Sequence, residues 1–150
     1  MNRRTLLFSL VASLFATTLR AEVWRLITDD EFEREKLAPK EAPPRIAAQS
    51  DGPVITVERP DETKPIKSPV SIFVSFRPQG NATIDLSSLR FFYGFLRIDI
   101  TKKIVEHAQL TASGLSASNA QVPSGRHRVT IQIADSMHRV GSRDIEFTVV

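Results

Sequence analysis

Arg128-Val129-Thr130-Ile131-Gln132-Ile133, followed after Asp135-Ser136-Met137-His138-Arg139 by Asp144-Ile145-Glu146-Phe147-Thr148-Val149, decides the fold. Val129, Ile131 and Ile133 alternate with Arg128, Thr130 and Gln132, and Ile145, Phe147 and Val149 alternate with Asp144, Glu146 and Thr148. Successive side chains of a strand point to opposite faces, so a period of two sends one row into a core and the other into water. The polar stretch between the two segments predicts a turn. The pair therefore reads as a terminal antiparallel hairpin with one buried face.

Upstream, the same periodicity recurs. Val54-Ile55-Thr56-Val57 is a short β-rich run closed by Pro60, and Asp61 to Pro69 is polar and proline-bearing, a loop or an edge segment. Val70, Ile72, Val74 and Phe76 alternate with Ser71, Phe73 and Ser75, and Pro78-Gln79-Gly80-Asn81 is a turn. Leu89, Phe91 and Tyr93 alternate next and stop at Gly94; Leu96, Ile98 and Ile100 continue their parity. Thr101 to Ala108 predicts a helical turn capped by Thr101, crossing from one sheet to the other. Gly114 to Pro123 is small and polar and reads as a loop. Six or seven strands with almost no helix predict an all-β, two-sheet antiparallel sandwich.

Pro53-Val54-Ile55, Pro69-Val70-Ser71-Ile72, Pro123-Ser124-Gly125-Arg126-His127, Ile133-Ala134-Asp135 and the closing Ile145-Glu146-Phe147-Thr148-Val149 together resemble bacterial immunoglobulin-like domains. The resemblance covers residues 53–150 and carries no catalytic residues. It implies an immunoglobulin-like sandwich serving as a binding, spacing or assembly module in envelope or surface proteins. The Cys-Trp-Cys core of antibody domains is absent, because the chain has no cysteine.

Residues 22–52 differ from this body and read as a short N-terminal helical arm. Thr28-Asp29-Asp30-Glu31 has capping-box spacing, acidic residues crowd the first turn, and Arg34 and Lys36 sit near the end that Pro39 imposes. Val23, Trp24, Leu26 and Ile27 form an apolar patch ahead of the helix, and residues 40–50 read as an extended linker. Two readings of Trp24 stand: it packs the arm onto the body, or it is an exposed docking anchor.

Residues 1–21 read as a cleaved signal peptide. Met1-Asn2-Arg3-Arg4 is basic, Thr5 to Leu19 is uncharged, and Arg20-Ala21 closes it with a small residue. Fifteen uncharged residues fall short of the roughly 20 that span a bilayer. The paired arginines leave the twin-arginine route open beside the ordinary one. The expected location is periplasmic or secreted, with no membrane-embedded segment after cleavage.

The leader also decides the charge argument. The chain carries 20 basic and 17 acidic residues, but Arg3, Arg4 and Arg20 lie in the leader, so the remainder is formally neutral. A neutral exported domain has no electrostatic case for nucleic acid. Without cysteine the core must hold by apolar burial, with no disulfide framework and no lipid-modified cysteine.

Little points to chemistry. His107, His127 and His138 have no metal-ligand spacing, and no serine stands in a nucleophile elbow. Asp99, between Ile98 and Ile100, reads as a cap of the Thr101 turn. No catalytic residue, cofactor or metal is expected. The candidate interaction surface is aromatic: Trp24, Phe73, Phe92 and Phe95. Strand parity places Phe73 and Phe92 outside the core, either covered by the arm with Trp24 against them or open to a partner. The expected function is a non-catalytic interaction or assembly module of the cell envelope, its partner another envelope protein. Two alternatives remain: a small-molecule or carbohydrate binder using loops at Gly114 to Gly125 and Asp135 to Val140, and a metal-handling protein.

Overall fold

The computed structural model describes residues 22–40 and 51–150. The expected leader and most of the expected linker lie outside the described residues. The elements run β1 (Trp24–Arg25), α1 (Asp29–Leu37), β2 (Val54–Arg59), β3 (Val70–Arg77), β4 (Ile84–Tyr93), β5 (Ile98–Asp99), α2 (Thr101–Val105), β6 (Ala108–Thr111), β7 (Gly114–Gln121), β8 (Gly125–Asp135) and β9 (Val140–Val149).

They form two sheets and no closed barrel, an all-β sandwich. One sheet is ordered β1-β7-β3-β2 with β6 also on β7; the other is ordered β5-β4-β8-β9. Neighbours pair antiparallel, except that β1 runs parallel to β7. The terminal hairpin forms as its alternation requires, with Val129 opposite Ile145 and His127 opposite Phe147. Val70, Ile72, Val74 and Phe76 of β3 face Phe91, Tyr93, Val129, Ile131, Ile133 and Phe147 across one core. Each such side chain contributes about 1.5–3 kcal/mol on leaving water. Among the described residues, no helix is long and apolar enough to cross a membrane.

The stretch expected to be a loop at Gly114 to Pro123 is instead largely β7, which pairs with three other strands. Its small residues carry little β-propensity, but Leu115, Ala117 and Ala120 face inward and are buried. Pairing on both edges and burial override the weak local preference. The strand accommodates a register shift opposite Val70–Ile72, where Asn119 takes a positive φ of 60°, a conformation asparagine tolerates better than most residues. The pairing leaves only residues 122–124 as the connection between β7 and β8, in place of the longer loop expected there.

Two smaller expectations also change. Gly94 to Arg97 forms a turn, so Leu96 leaves the parity of Tyr93 and stands 47% exposed, whereas Ile100 is fully buried. Ile100, not Thr101, occupies the N-cap of α2, and the Thr101 hydroxyl instead accepts from the Phe91 amide at 2.9 Å. Asp99 is exposed, and its carboxylate accepts from the Thr101 amide as expected of it. As expected, α2 crosses from the β5 sheet to the β6 sheet.

The arm is part of the sandwich. Trp24 and Arg25 add a strand beside Ala120 and Gln121, and Leu26 and Ile27 are buried in the core. On the opposite edge, Ile66 bridges to β9: its amide donates to Thr148 O, and Val150 N donates to Ile66 O, both at 2.9 Å. That covers the end of an otherwise open strand edge.

Candidate functional site

The helix α1 forms because Thr28 and Glu31 close a full capping box. Glu31 then reaches further than the box requires. Its carboxylate takes Lys103 Nζ of α2 at 2.6 Å, tying the two helices together. Burial works against the charge of Glu31, but Lys103 and the Thr28 amide and hydroxyl outweigh it and hold its carboxyl below the usual range.

The next residue, Phe32, points at the end of the second sheet. Its ring lies over Gly125, where φ is 139° and a β-carbon would strike the ring. It packs on the His127 imidazole at a centroid distance of 5.0 Å, and Phe147 packs on His127 from 5.5 Å. His127 itself is 1% exposed. Its Nε2 is 2.7 Å from the Pro123 carbonyl, which only accepts, so Nε2 carries the proton. Nδ1 is then the acceptor for the Tyr93 hydroxyl at 2.9 Å. Burial lowers the pKa of His127, against a smaller upward pull from the Pro123 bond. Burial pushes the Tyr93 hydroxyl up, helped by the charges of Glu35 and Glu31. The pair is a neutral, saturated core network.

One turn beyond Phe32, the two carboxylate oxygens of Glu35 accept from the amides of Phe95 and Leu96. Gly94 carries a φ of 67°, and any β-carbon there would run into the Glu35 carboxylate. The helix is thus clamped to the β4–β5 turn. Between the clamped helix and the outer side of β8 and β9 lies a cleft of about 470 Å³. Phe32, Phe95 and His127 supply its apolar and aromatic wall; Lys36, Lys40, Arg126 and Arg128 bring positive charge, and Glu35 and Glu146 negative charge.

The cleft continues onto the outer face of the second sheet as an arginine-aromatic patch. The Arg128 guanidinium sits 5.2 Å from the Phe95 ring centroid and that of Arg97 4.5 Å from Phe92, within cation–π range. Arg128 also pairs with Asp144 at 2.9 Å, and Thr130 donates to the same carboxylate at 2.7 Å. Burial disfavours ionised Asp144, but these bonds and the charges of Arg128 and Arg97 bring its carboxyl below the usual range. Buried Arg128 Nε and Gln132 Nε2 have no acceptor.

Comparison with protein-family models, curated proteins and solved structures finds no match. The site must be read from its own residues.

Of the four aromatic residues expected at an interaction surface, Phe92 and Phe95 lie together on this patch. Phe73 is 38% exposed on the other sheet, opposite Arg59 and Ser116. Trp24 is 7% exposed; it stacks on His107 at 4.4 Å and 5°, and its indole donates to Ser118 O at 2.8 Å. The arm therefore does not close over Phe73 and Phe92 with Trp24 against them. Those two residues face away from each other on opposite sheets, and the tryptophan meets His107, exposed on the segment after α2.

Sequence reasoning missed Arg97, Arg126 and Arg128, although the alternation of β8 already put Arg126 and Arg128 on the outer face with Thr130. It also missed Phe32 and Glu35, whose partners are more than sixty positions away or held by a distant turn. Among the described residues, no group of three or more His, Asp or Glu could hold a metal. Asp135, fully enclosed, serves the β8–β9 turn: it accepts from the Met137 and Arg139 amides and from Arg139 Nε.

Proposed function

We propose that this chain is an exported, non-catalytic protein-interaction module of the cell envelope, immunoglobulin-like in kind, and that the cleft between α1 and the second sheet is where it docks. The observation that carries this reading is the clamp of Glu35 on the Phe95 and Leu96 amides. It holds a helix at a fixed height above a sheet, leaving an open wall of Phe32 and Phe95 with basic residues on the rim. Aromatic and arginine side chains around a preformed depression are the usual anchors of protein recognition.

The buried polar groups support the same reading by where they are engaged. His127 and Asp135 each use their side-chain atoms within the fold. The leader-like residues 1–21 and the lack of cysteine agree with an exported domain held by apolar burial.

Site-directed photo-crosslinking in the expressing cell tests the proposal. A photoreactive residue at Phe95 should yield one discrete protein adduct in the envelope fraction, and one at Phe73 none. Adducts from neither position, or equally from both, would refute the placement of the site.

A further inference from the structure

We infer that the cleft takes an acidic peptide segment of its partner protein, one whose carboxylates flank an apolar or aromatic side chain. This rests on the reading of the chain as an interaction module and adds the chemistry of what it binds. Four cationic side chains line the cleft against two carboxylates. Lys36 is held by Glu33 at 3.0 Å and Arg128 by Asp144 at 2.9 Å, so Lys40 and Arg126 are the two that an incoming carboxylate can meet. Of the cleft's own carboxylates, one, Glu35, is already turned onto two backbone amides. The other, Glu146, is paired with Arg126 only at 3.5 Å, between side chains 51% and 80% exposed. Such a pair contributes little in water and exchanges readily for a better one. Lys40 is exposed at the rim.

The wall beneath these charges is aromatic. Phe32 and Phe95 are half-buried, so an apolar side chain entering between them would leave water while its neighbours' carboxylates met Arg126 and Lys40. Arginine binds carboxylates through paired N–H groups in a planar fork, which gives such a contact its directionality. The volume, about 470 Å³, admits a few side chains rather than a folded surface. An acidic linear segment satisfies the charge, the apolar wall and the size together.

Fluorescence anisotropy with the purified chain tests this directly. The probes are a labelled peptide alternating glutamate with phenylalanine, its counterpart with lysine for glutamate, and vesicles of phosphatidylglycerol. The acidic peptide should bind saturably and the lysine peptide should not. The double variant Lys40→Glu/Arg126→Glu, at two exposed positions, should weaken binding on the order of ten-fold or more. Arg77→Glu, an exposed charge at the end of β3, should leave it unchanged. Absence of saturable binding, equal binding of the lysine peptide, or charge-dependent binding of the vesicles alone would overturn the inference. A crosslinked adduct from Phe95 that persists beside any of those results would show the partner's chemistry to be misjudged and the docking site to be right.

Discussion

The hydroxyl of Tyr93 lies 2.9 Å from Nδ1 of His127, deep in the second sheet, and the far side of that imidazole supports Phe32 of the arm. A single buried polar pair thus connects the interior of the sandwich to the helix that forms one side of the cleft. Both partners are essentially inaccessible to water, Tyr93 at 0% and His127 at 1%.

Removing the hydroxyl should therefore be expensive. Tyr93→Phe leaves Nδ1 of His127 as a buried acceptor without a donor, which costs roughly 1–3 kcal/mol. Urea denaturation of the variant measures it. A Tyr93→Phe/His127→Phe pair, in which both polar partners are gone, should lose less than the two single losses combined.

Stability should fall on mild acidification, with His127 as the cause. Its folded pKa is lowered by burial, so the unfolded chain binds the proton more readily. The contribution is complete above the ordinary imidazole value of about 6.5 and is lost as pH falls from there toward the lower folded value. Glu31 and Asp144, whose pKa values are also lowered, act in a separate and more acidic window. Denaturation midpoints measured between about pH 7 and pH 5 should show the upper step in the natural chain and not in His127→Gln. A flat profile across that interval would contradict the assignment.

Trp24→Ala should destabilise the whole sandwich, since its ring is buried against His107 and its indole donates to Ser118. Truncating a buried aromatic costs about 3–5 kcal/mol. Phe73→Ser, on an exposed face, should stay within about 0.5 kcal/mol. Melting curves and binding of an apolar dye compare the two. Equal effects would mean that the arm does not belong to the core.

Glu35→Ala should free the helix from the β4–β5 turn without unfolding the sheets. Hydrogen exchange at the amides of Phe95 and Leu96 should accelerate, and α1 should fray, while the amides of β8 keep their protection. Loss of protection throughout the second sheet would show that Glu35 does more than clamp the arm.

The sandwich was legible because the sheet-facing rows of β3, β8 and β9 alternate without interruption. The cap of α1 was legible for a different reason: Thr28 and Glu31 are three residues apart, and a capping box is entirely local. What stayed hidden is long-range. β7 carries serine, alanine and asparagine, and only its pairing with β3, β6 and β1 makes it a strand. Phe95 was named from its aromatic character, but the charged rim around it comes from elements separated in sequence. Arg126 and Arg128 reach it from β8, and Lys36 and Lys40 from the arm. No periodicity in a single segment reports such a meeting. Trp24 was half legible: the sequence marked it as an anchor for the arm, which it is, but its partner His107 could not be found without the register of β1 on β7.

The cleft exists only if the arm is seated as described, and nuclear Overhauser contacts of the Phe32 ring in the isotopically labelled chain examine that seating most directly. Cross-peaks from Phe32 to the His127 ring and to the Gly125 α-protons, with slow exchange at the Phe95 and Leu96 amides, are the expected result. Random-coil shifts for residues 22–40, with no cross-peak from Phe32 to β8, would remove the helix from the sheet and the docking site with it.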